Sequence, residues 1–358
     1  MSNETYFIKK TFELAKKGEG YTSPNPLVGA IIVKGNKIVG WGYHKKAGAP
    51  HAEVVAINRA GKKAYNSTLY VNLEPCCHWG RTPPCVDRII NAGIKKVVIS
   101  TYDPNPVVKG KSVKKLRKAG IEVKVGILAE QAKKLNEVFF KNVKRNLPFV
   151  TVKVAQSLDG KITTRSRDSR WITSLKARML AKSLRDKYDG ICVGINTVIS
   201  DNPTLEGLRK IPFKIILDPD LDIPLESKIV KRKRFIIFTT PASKKKKKKI
   251  GYLTRAGQIY FLNTKNGIFD LRKVLEVIYE RGICSLFVEG GSFTIGSFFD
   301  QRLVDKIYFF LAPKIIGGKE ALPSVGGDGA KTLKNTFDIQ EIKLERIGRD
   351  FLFTGYIP

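Results

Sequence analysis

Three short stretches between positions 50 and 85 set metal-binding and proton-transferring side chains beside prolines: Pro50-His51-Ala52-Glu53, Pro75-Cys76 and Pro83-Pro84-Cys85. Proline is tolerated where a helix begins, because its missing N–H would have no partner there, so the first and third stretches read as helix openings. A helix N-terminus carries partial positive charge, which favours a thiolate, and a metal favours it further. His51, Cys76 and Cys85 would give one imidazole nitrogen and two thiolates, a three-ligand zinc set. With the fourth position left to water, that is the pattern of a catalytic rather than a closed structural site. Zinc lowers the pKa of such a water toward neutrality. Glu53 lies two residues after His51, so on the first helical turn it can face that water without binding the metal. It can take the water's proton and deliver it to a ring nitrogen and then to departing ammonia.

The order His-x-Glu, then Pro-Cys, then Cys is that of zinc-dependent nucleobase deaminases, where about two residues separate the cysteines. Here eight residues, Cys77 through Pro84, stand between Cys76 and Cys85. Cys77 lies in that gap and is the alternative to Cys76 as a ligand; Cys76 is preferred because it directly follows Pro75. All three histidines of the chain, His44, His51 and His78, fall in this region. His44 and His78 suit substrate contacts better than zinc ligation. A second candidate lies far downstream. VEGGSFTIGSFF (288–299) reads as strand, glycine turn and helix, an arrangement that presents backbone N–H groups to a phosphate. A plain structural turn explains it equally well, and alone it does not identify hydride-transfer chemistry.

These residues need elements to hold them. Periodicity and turn signals predict a helix over 4–17, a hairpin of Val28–Val33 and Lys37–Tyr43 around Gly35-Asn36, and a helix over Glu53–Ala60 ended by Gly61. Strand Thr68–Asn72, helix Pro84–Ala92, strand Val97–Thr101, helix Ser112–Lys118, strand Ile121–Val125 and one longer helix over Leu128–Val143 follow. This is a layered α/β sandwich. The polar break Lys144–Pro148 marks a domain boundary, giving domains 1–146 and 147–358. The second α/β series has strands at 149–156, 190–194, 213–217, 234–239, 258–262, 284–288 and 305–311 and near 351–357. Its helices fall at 175–187, 270–281 and 292–299. Lys231–Arg234 and the six-lysine run Lys244–Lys249 read as surface loops. No internal repeat is visible.

Two domains also suit a chain of 358 residues. Its hydrophobic share of 42% is that of a globular protein, its longest apolar runs are too short to cross a membrane, and its N-terminus lacks a secretory signal. A cytoplasmic enzyme with no membrane partner is the expectation. Of five cysteines, three cluster within ten residues, which in that compartment argues for metal rather than disulfide; Cys192 and Cys284 read as core packing. The net charge of +33 would suit nucleic acid, but the lysines are spread along the chain rather than concentrated on a motif. The charge therefore reads as compositional, and no specific nucleic-acid partner is expected.

SPNPLVGA (23–30), GYHKKAGAPHAEVVA (42–56), LEPCCHWGRTPPC (73–85) and DPNP (103–106) resemble the N-terminal half of the bifunctional riboflavin-biosynthesis deaminase-reductases. The long insert ending in GRTPPC separates that family from cytidine and tRNA-adenosine deaminases. VKVAQSLDGKI (152–162), SRWITS (169–174), DGICVGINTVISDNPTL (189–205) and FVEGGSF (287–293) are similar to its reductase half, so the resemblance spans essentially the whole chain. It implies a cytidine-deaminase-like α/β/α sandwich followed by a dihydrofolate-reductase-like α/β domain. It implies zinc-dependent hydrolysis of the 2-amino group of 2,5-diamino-6-(ribosylamino)-4(3H)-pyrimidinone 5′-phosphate, then NADPH-dependent reduction of the ribosyl group to ribityl. Carried over, Asn25, His44 and His78 line the pyrimidine pocket. NADPH touches Ala155, Trp171, Thr197, Asp201 and the run Gly291, Ser292, Phe293, Thr294, Ile295, Gly296, Ser297. Ser169, Arg185, Leu205 and Glu289 meet the substrate, with Lys153 and Glu289 as the polar groups at the reacting ribosyl carbon.

One departure stands out. The family pattern after DNPx is Leu-Thr-x-Arg, with the arginine on the substrate phosphate, whereas this chain reads Leu205-Glu206-Gly207-Leu208-Arg209. Arg209, displaced by one position, either reaches the phosphate through a loop adjustment or leaves that grip weakened. The alternatives to a bifunctional enzyme are a deaminase whose second domain is a scaffold and a basic RNA deaminase. The insert and the entire second half argue against the latter. A homo-oligomer is compatible with any of these.

Overall fold

The computed structural model describes residues 2–79 and 83–358; residues 80–82, part of the insert between the candidate cysteine ligands, lie outside the described residues. The chain divides into two compact units, 1–146 and 147–358. Among the described residues no helix is long and apolar enough to cross a membrane.

The first unit runs α1 (Asn3–Lys16), β1 (Gly29–Lys34), β2 (Lys37–Tyr43), α2 (Ala52–Ala60), β3 (Thr68–Leu73), α3 (Cys85–Asn91), β4 (Lys96–Thr101), α4 (Lys111–Lys118), β5 (Glu122–Val125), α5 (Ala129–Leu135) and α6 (Glu137–Arg145). Its sheet has the order β2-β1-β3-β4-β5, with β1 antiparallel to both neighbours and β3, β4 and β5 parallel. Side chains alternate across a strand, so β1 feeds two cores. Ala30 and Ile32 pack with Ala52, Ala56 and Ile89 from α2 and α3, while Ile31 and Val33 meet Phe7, Ile8 and Phe12 of α1. Helices on both faces make the α/β/α sandwich. Two glycines of β2 let α2 lie directly on the strand backbone. A Cβ at Gly40 would come 2.3 Å from the Ala56 carbonyl oxygen, and one at Gly42 2.5 Å from that of Ala52. This contact fixes the N-terminus of α2, where His51 and Glu53 sit.

The long helix expected over Leu128–Val143 is instead two, α5 and α6, broken at Asn136. Asn136 leaves helical geometry (φ −109°, ψ 27°) and is buried. Its side chain pairs with the Leu27 backbone, accepting from the N–H at 2.7 Å and donating to the carbonyl at 3.0 Å. A partner 109 residues away thus overrides local periodicity.

The second unit contains β6 (Phe149–Ser157), α7 (Leu175–Leu184), β7 (Gly190–Gly194), α8 (Ile195–Asp201), β8 (Phe213–Leu217), α9 (Lys228–Lys231), β9 (Phe235–Thr239), α10 (Lys247–Thr254), β10 (Gln258–Phe261) and a small hairpin of β11 (Thr264–Lys265) and β12 (Ile268–Phe269). It ends with α11 (Leu271–Glu280), β13 (Ser285–Val288), α12 (Ser292–Asp300), β14 (Lys306–Ala312), β15 (Gln340–Ile347) and β16 (Asp350–Tyr356). The main sheet has the order β10-β9-β8-β7-β13-β6-β14-β16-β15, parallel from β10 to β14 and antiparallel beyond. Cys192 and Cys284 are buried in it, as core packing requires. The lysine run is not a loop. A 3-10 turn over Pro241–Lys245 leads into α10, and Lys246 anchors the junction by donating to the Asp220 carbonyl at 2.7 Å and to Asp222 at 2.9 Å. Lys231 likewise closes the short helix α9 rather than opening a loop.

Candidate active sites

In the first unit, the turn after β2 delivers His51 to the N-cap position of α2, the loop after β3 delivers Cys76, and Cys85 opens α3. Their ligand atoms all lie within 4.8 Å of one another. His51 Nδ1 is 3.2 Å from Cys85 Sγ and 3.6 Å from Cys76 Sγ. Tetrahedral zinc with ordinary Zn–N and Zn–S bonds requires an N···S edge of about 3.6 Å, so the donor set has the size and chemistry of a zinc site. The Cys85 backbone N–H donates to Cys76 Sγ at 3.3 Å. Hydrogen bonding from the Cys85 thiol, with help from His51 and this N–H, holds the Cys76 thiol far below its usual range. The same hydrogen bond and burial push Cys85 up. The pair is therefore poised with one thiolate and one retained proton, which a metal would displace. Cys77 stands apart, with its sulfur 3.9 Å from the Val107 carbonyl.

Glu53, in the first turn of α2, is 3% exposed. Burial raises its carboxyl pKa against the pull of His51. It lines a cavity of about 320 Å³ together with Asn25, His44, His51, Cys76 and His78. His44 is buried and neutral in character, since burial lowers its pKa. Its Nδ1 lies 3.3 Å from the Pro50 carbonyl, and its Nε2 lies 3.1 Å from Asn25 Nδ2. Nδ1 must donate to the carbonyl, which leaves Nε2 to accept from the amide. The lining also includes Asp103, Asn105 and Phe139, which carry no signal the spacing argument used. Burial pushes the Asp103 carboxyl up to about 6. The segment bearing Asp103 and Asn105 is tied to the cysteine loop by buried Glu74. That carboxylate accepts backbone N–H groups from Asp103 (3.3 Å), Gly110 (3.0 Å) and Val113 (3.4 Å).

In the second unit, a cavity of about 400 Å³ opens where β13 is inserted between β7 and β6. Open α/β sheets bind ligands at such a reversal of strand order, outside the carboxyl ends of the strands. Lys153 and Ala155 come from β6, and Glu289 follows β13 directly. Arg185, in the 3-10 turn that ends α7, grips Glu289 in a two-pronged pair, Nε to Oε1 at 2.6 Å and Nη2 to Oε2 at 2.9 Å. Its remaining Nη1 donates to the Glu206 carbonyl at 3.0 Å. Lys153 Nζ lies 3.7 Å from Glu289. Burial works to raise Glu289, but the two cations overcome it and hold the carboxyl below its usual range. Burial lowers the Lys153 ammonium against the pull of Glu289.

The cavity also brings in Ser169, Trp171, Asp201 and Ile295. Thr197 sits behind the turn, its hydroxyl the nearest atom to a Cβ built on Gly291, at 3.9 Å. The first turn of α12 lacks a side-chain cap at Gly291, which leaves its amides available to a phosphate. Ser292, Thr294 and Ser297 are buried, Phe293 is 56% exposed, and Gly296 packs against the Gly326 carbonyl. Leu205 is buried in the core with φ +54°. Arg209 does not join the others: its side chain is 79% exposed and 3.8 Å from Asp186, whose Oδ1 accepts the Arg209 backbone N–H.

Residues 148–353 match the family model of the RibD C-terminal domain, and residues 1–101 match the cytidine and deoxycytidylate deaminase zinc-binding region. The riboflavin biosynthesis protein RibD of Aquifex aeolicus is 46% identical over 97% of this chain and 96% of its own length. The chain belongs to the RibD family. The Bacillus amyloliquefaciens RibD is 42% identical over 98% of this chain and 96% of its own length. The Acinetobacter baumannii RibD structure superposes with a TM-score of 0.88 at 32% identity, covering 99% of each chain. A Thermotoga maritima diaminohydroxyphosphoribosylaminopyrimidine deaminase/5-amino-6-(5-phosphoribosylamino)uracil reductase superposes with 0.83 at 37% identity, also over 99% of each. As a RibD, the chain is a bifunctional deaminase and reductase of riboflavin biosynthesis that uses zinc and NADPH.

Proposed function

We propose that residues 1–146 hydrolyse the exocyclic 2-amino group of 2,5-diamino-6-(ribosylamino)-4(3H)-pyrimidinone 5′-phosphate, and that residues 147–358 then reduce its ribosyl group to ribityl. The observation that carries the first half is the convergence of His51, Cys76 and Cys85 within 4.8 Å, with buried Glu53 in the same cavity. His51, Cys76 and Cys85 hold the zinc. Zinc held by these three residues would supply a water acidic enough to attack near neutral pH. Glu53 takes a proton from the water and carries it to the ring, then to the departing ammonia. Its burial suits the task, because a desolvated carboxylate accepts a proton near neutral pH more readily than an exposed one. Asn25, His44 and His78 line the ring pocket, with Asp103 and Asn105 completing its polar wall.

In the second half, bound NADPH would supply the hydride for C1′ of the ring-opened ribosylamine. Lys153 and Glu289 provide the polar groups at that carbon, and Arg185 fixes Glu289. Ala155, Trp171, Thr197, Asp201 and the start of α12 form the cofactor's surroundings, and Ser169 faces the substrate. A cytoplasmic location belongs to the same proposal, as suits a biosynthetic enzyme of this family. The test uses purified, zinc-loaded protein with the diaminopyrimidinone phosphate. Ammonia should appear first, and NADPH should be consumed in a second, dependent phase. Ammonia release without NADPH consumption removes the reductase half; no ammonia removes the deaminase half.

A further inference from the structure

The second cavity has a charge problem that its known cations do not solve. Its described lining carries four cations, Lys153, Arg170, Arg178 and Arg185, against two carboxylates, Asp201 and Glu289. Every guanidinium nitrogen of Arg185 is already engaged, two on Glu289 and one on the Glu206 carbonyl. Lys153 faces the same Glu289. Arg209, the expected phosphate contact, points away on the outside of the unit. Two ligands of this cavity nevertheless carry a phosphomonoester, a group of nearly two negative charges with oxygens that match an arginine fork.

Arg178 is built to receive one. It stands in the first turn of α7 and is half-buried. Its guanidinium carbon lies 3.9 Å from the centroid of the Trp171 ring, and its Nη1 donates to the Thr173 carbonyl at 3.0 Å. Stacking and this bond fix the plane of the fork in advance, so little freedom remains to be lost when an anion is gripped. Arg170, by contrast, is exposed. Ser169 and Trp171 flank the cavity on the same segment, so Arg178 borders the surfaces expected for both substrate and cofactor.

We propose that Arg178, carried on Trp171, is a phosphomonoester-binding residue of the second cavity. The phosphate is either the 2′-phosphate of the cofactor or the 5′-phosphate of the pyrimidine. The proposal rests on the reading of residues 147–358 as the reductase.

The experiment compares wild type with Arg178→Gln and Arg178→Lys in the full, zinc-loaded chain. NADP⁺ and NAD⁺ are titrated by calorimetry, and the reduction kinetics of the 5′-phosphorylated pyrimidine and its dephosphorylated counterpart are measured. Ammonia release and melting temperature report folding. Arg178→Gln should lose at least tenfold of the wild-type preference for the phosphorylated member in one pair. Loss in the NADP⁺/NAD⁺ pair assigns the cofactor phosphate, and loss in the pyrimidine pair assigns the substrate phosphate. Arg178→Lys, which keeps the charge but not the planar fork, should fall between and carries the comparison if Arg178→Gln does not fold. Both preferences within twofold of wild type overturn the proposal. So does equal weakening of phosphorylated and unphosphorylated ligands, which is the mark of a structural role. Wild type that neither binds NADP⁺ nor reduces the pyrimidine removes the reductase reading itself, and the proposal with it.

Discussion

Glu53→Gln separates proton transfer from metal binding at the deaminase site. Glu53 is 3% exposed and sits in the first turn of α2, two residues after His51 and beside the Cys85 thiol. Gln has the same shape and no charge, so packing of α2 on β2 is untouched. Burial already disfavours the ionised carboxyl, and a cation bound beside it would restore that form. The substitution therefore removes an ionisable group that burial penalises, and the side-chain amide can still hydrogen-bond the Cys85 thiol, so the apo protein should melt no lower than wild type. Losing a positioned general acid/base should lower kcat by about 10²–10⁴, or roughly 3–5.5 kcal/mol of barrier. The assay measures ammonia release together with zinc per chain by elemental analysis. Zinc near one equivalent with ammonia release down at least a hundredfold is the expected result. Zinc lost in the variant would make Glu53 a structural part of the metal site. Full zinc with less than a tenfold fall in rate would assign the proton transfer to another group.

The two adjacent cysteines should behave oppositely: Cys76→Ser loses zinc and ammonia release, whereas Cys77→Ser, altering a sulfur that faces Val107, keeps both. Zinc loss in Cys77→Ser alone would reverse the ligand assignment. Glu289→Gln leaves Arg185 and Lys153 without their carboxylate in a largely buried cluster, which should cost up to about 3–5 kcal/mol of stability in residues 147–358. NADPH consumption should vanish while ammonia release continues; unaltered NADPH consumption would exclude Glu289 from the reductase site. Asp103→Asn should show a pH-dependent stability difference. Asp103 is raised from 3.8 to about 6 in the folded chain, so the folded state holds the proton more tightly and stability falls as pH rises between those values. Melting of wild type relative to Asp103→Asn should therefore worsen from pH 4 to pH 6.5, by about 2–3 kcal/mol at full extent. A flat difference over that range would mean that the cavity does not desolvate Asp103.

The candidate zinc site was legible in sequence because each of its parts is local. Proline and helix-opening signals flank His51 and Cys85, and the His-x-Glu offset needs only one helical turn to be interpreted. The order of helices and strands in the first unit followed from periodicity for the same reason. What remained hidden depends on partners distant in sequence. Asn136 looks helical until its side chain meets Leu27. Glu74 reads as part of a motif, yet its role is to collect three backbone N–H groups from the segment that carries Asp103 and Asn105. DPNP, with its Asx-type bond from the Asn105 N–H to Asp103, was the one visible hint of that wall. In the second unit β15 escaped notice because QEIKLERI is densely charged; it is an edge strand with nearly every residue exposed, which a core-seeking pattern passes over. Arg178 was likewise illegible, since nothing in ITSLKARML shows that Trp171 lies across its guanidinium.

The two cavities handle buried negative charge in opposite ways, and the difference follows from composition as much as from fold. The chain has 65 Lys and Arg against 32 Asp and Glu, so a cation near any given carboxylate is the ordinary outcome. The second cavity follows that rule: Lys153 and Arg185 neutralise Glu289 with covalently attached charge. In the first, Glu53, Glu74, Asp103 and Cys76 line one space, and its described lining contains neither Lys nor Arg. Buried charges are expected to be paired or to coordinate metals. In so basic a chain that exclusion is unusual: burial raises Glu53 and Asp103 toward their protonated forms, and a cation supplied from outside would favour the charged ones. Zinc would meet that demand where thiolate and imidazole donors converge, and among the described residues the one group found that could hold a metal is His51, Cys76 and Cys85. The absence of Lys and Arg from the described lining and the convergence of the His51, Cys76 and Cys85 donor atoms both favour a cation bound in this cavity.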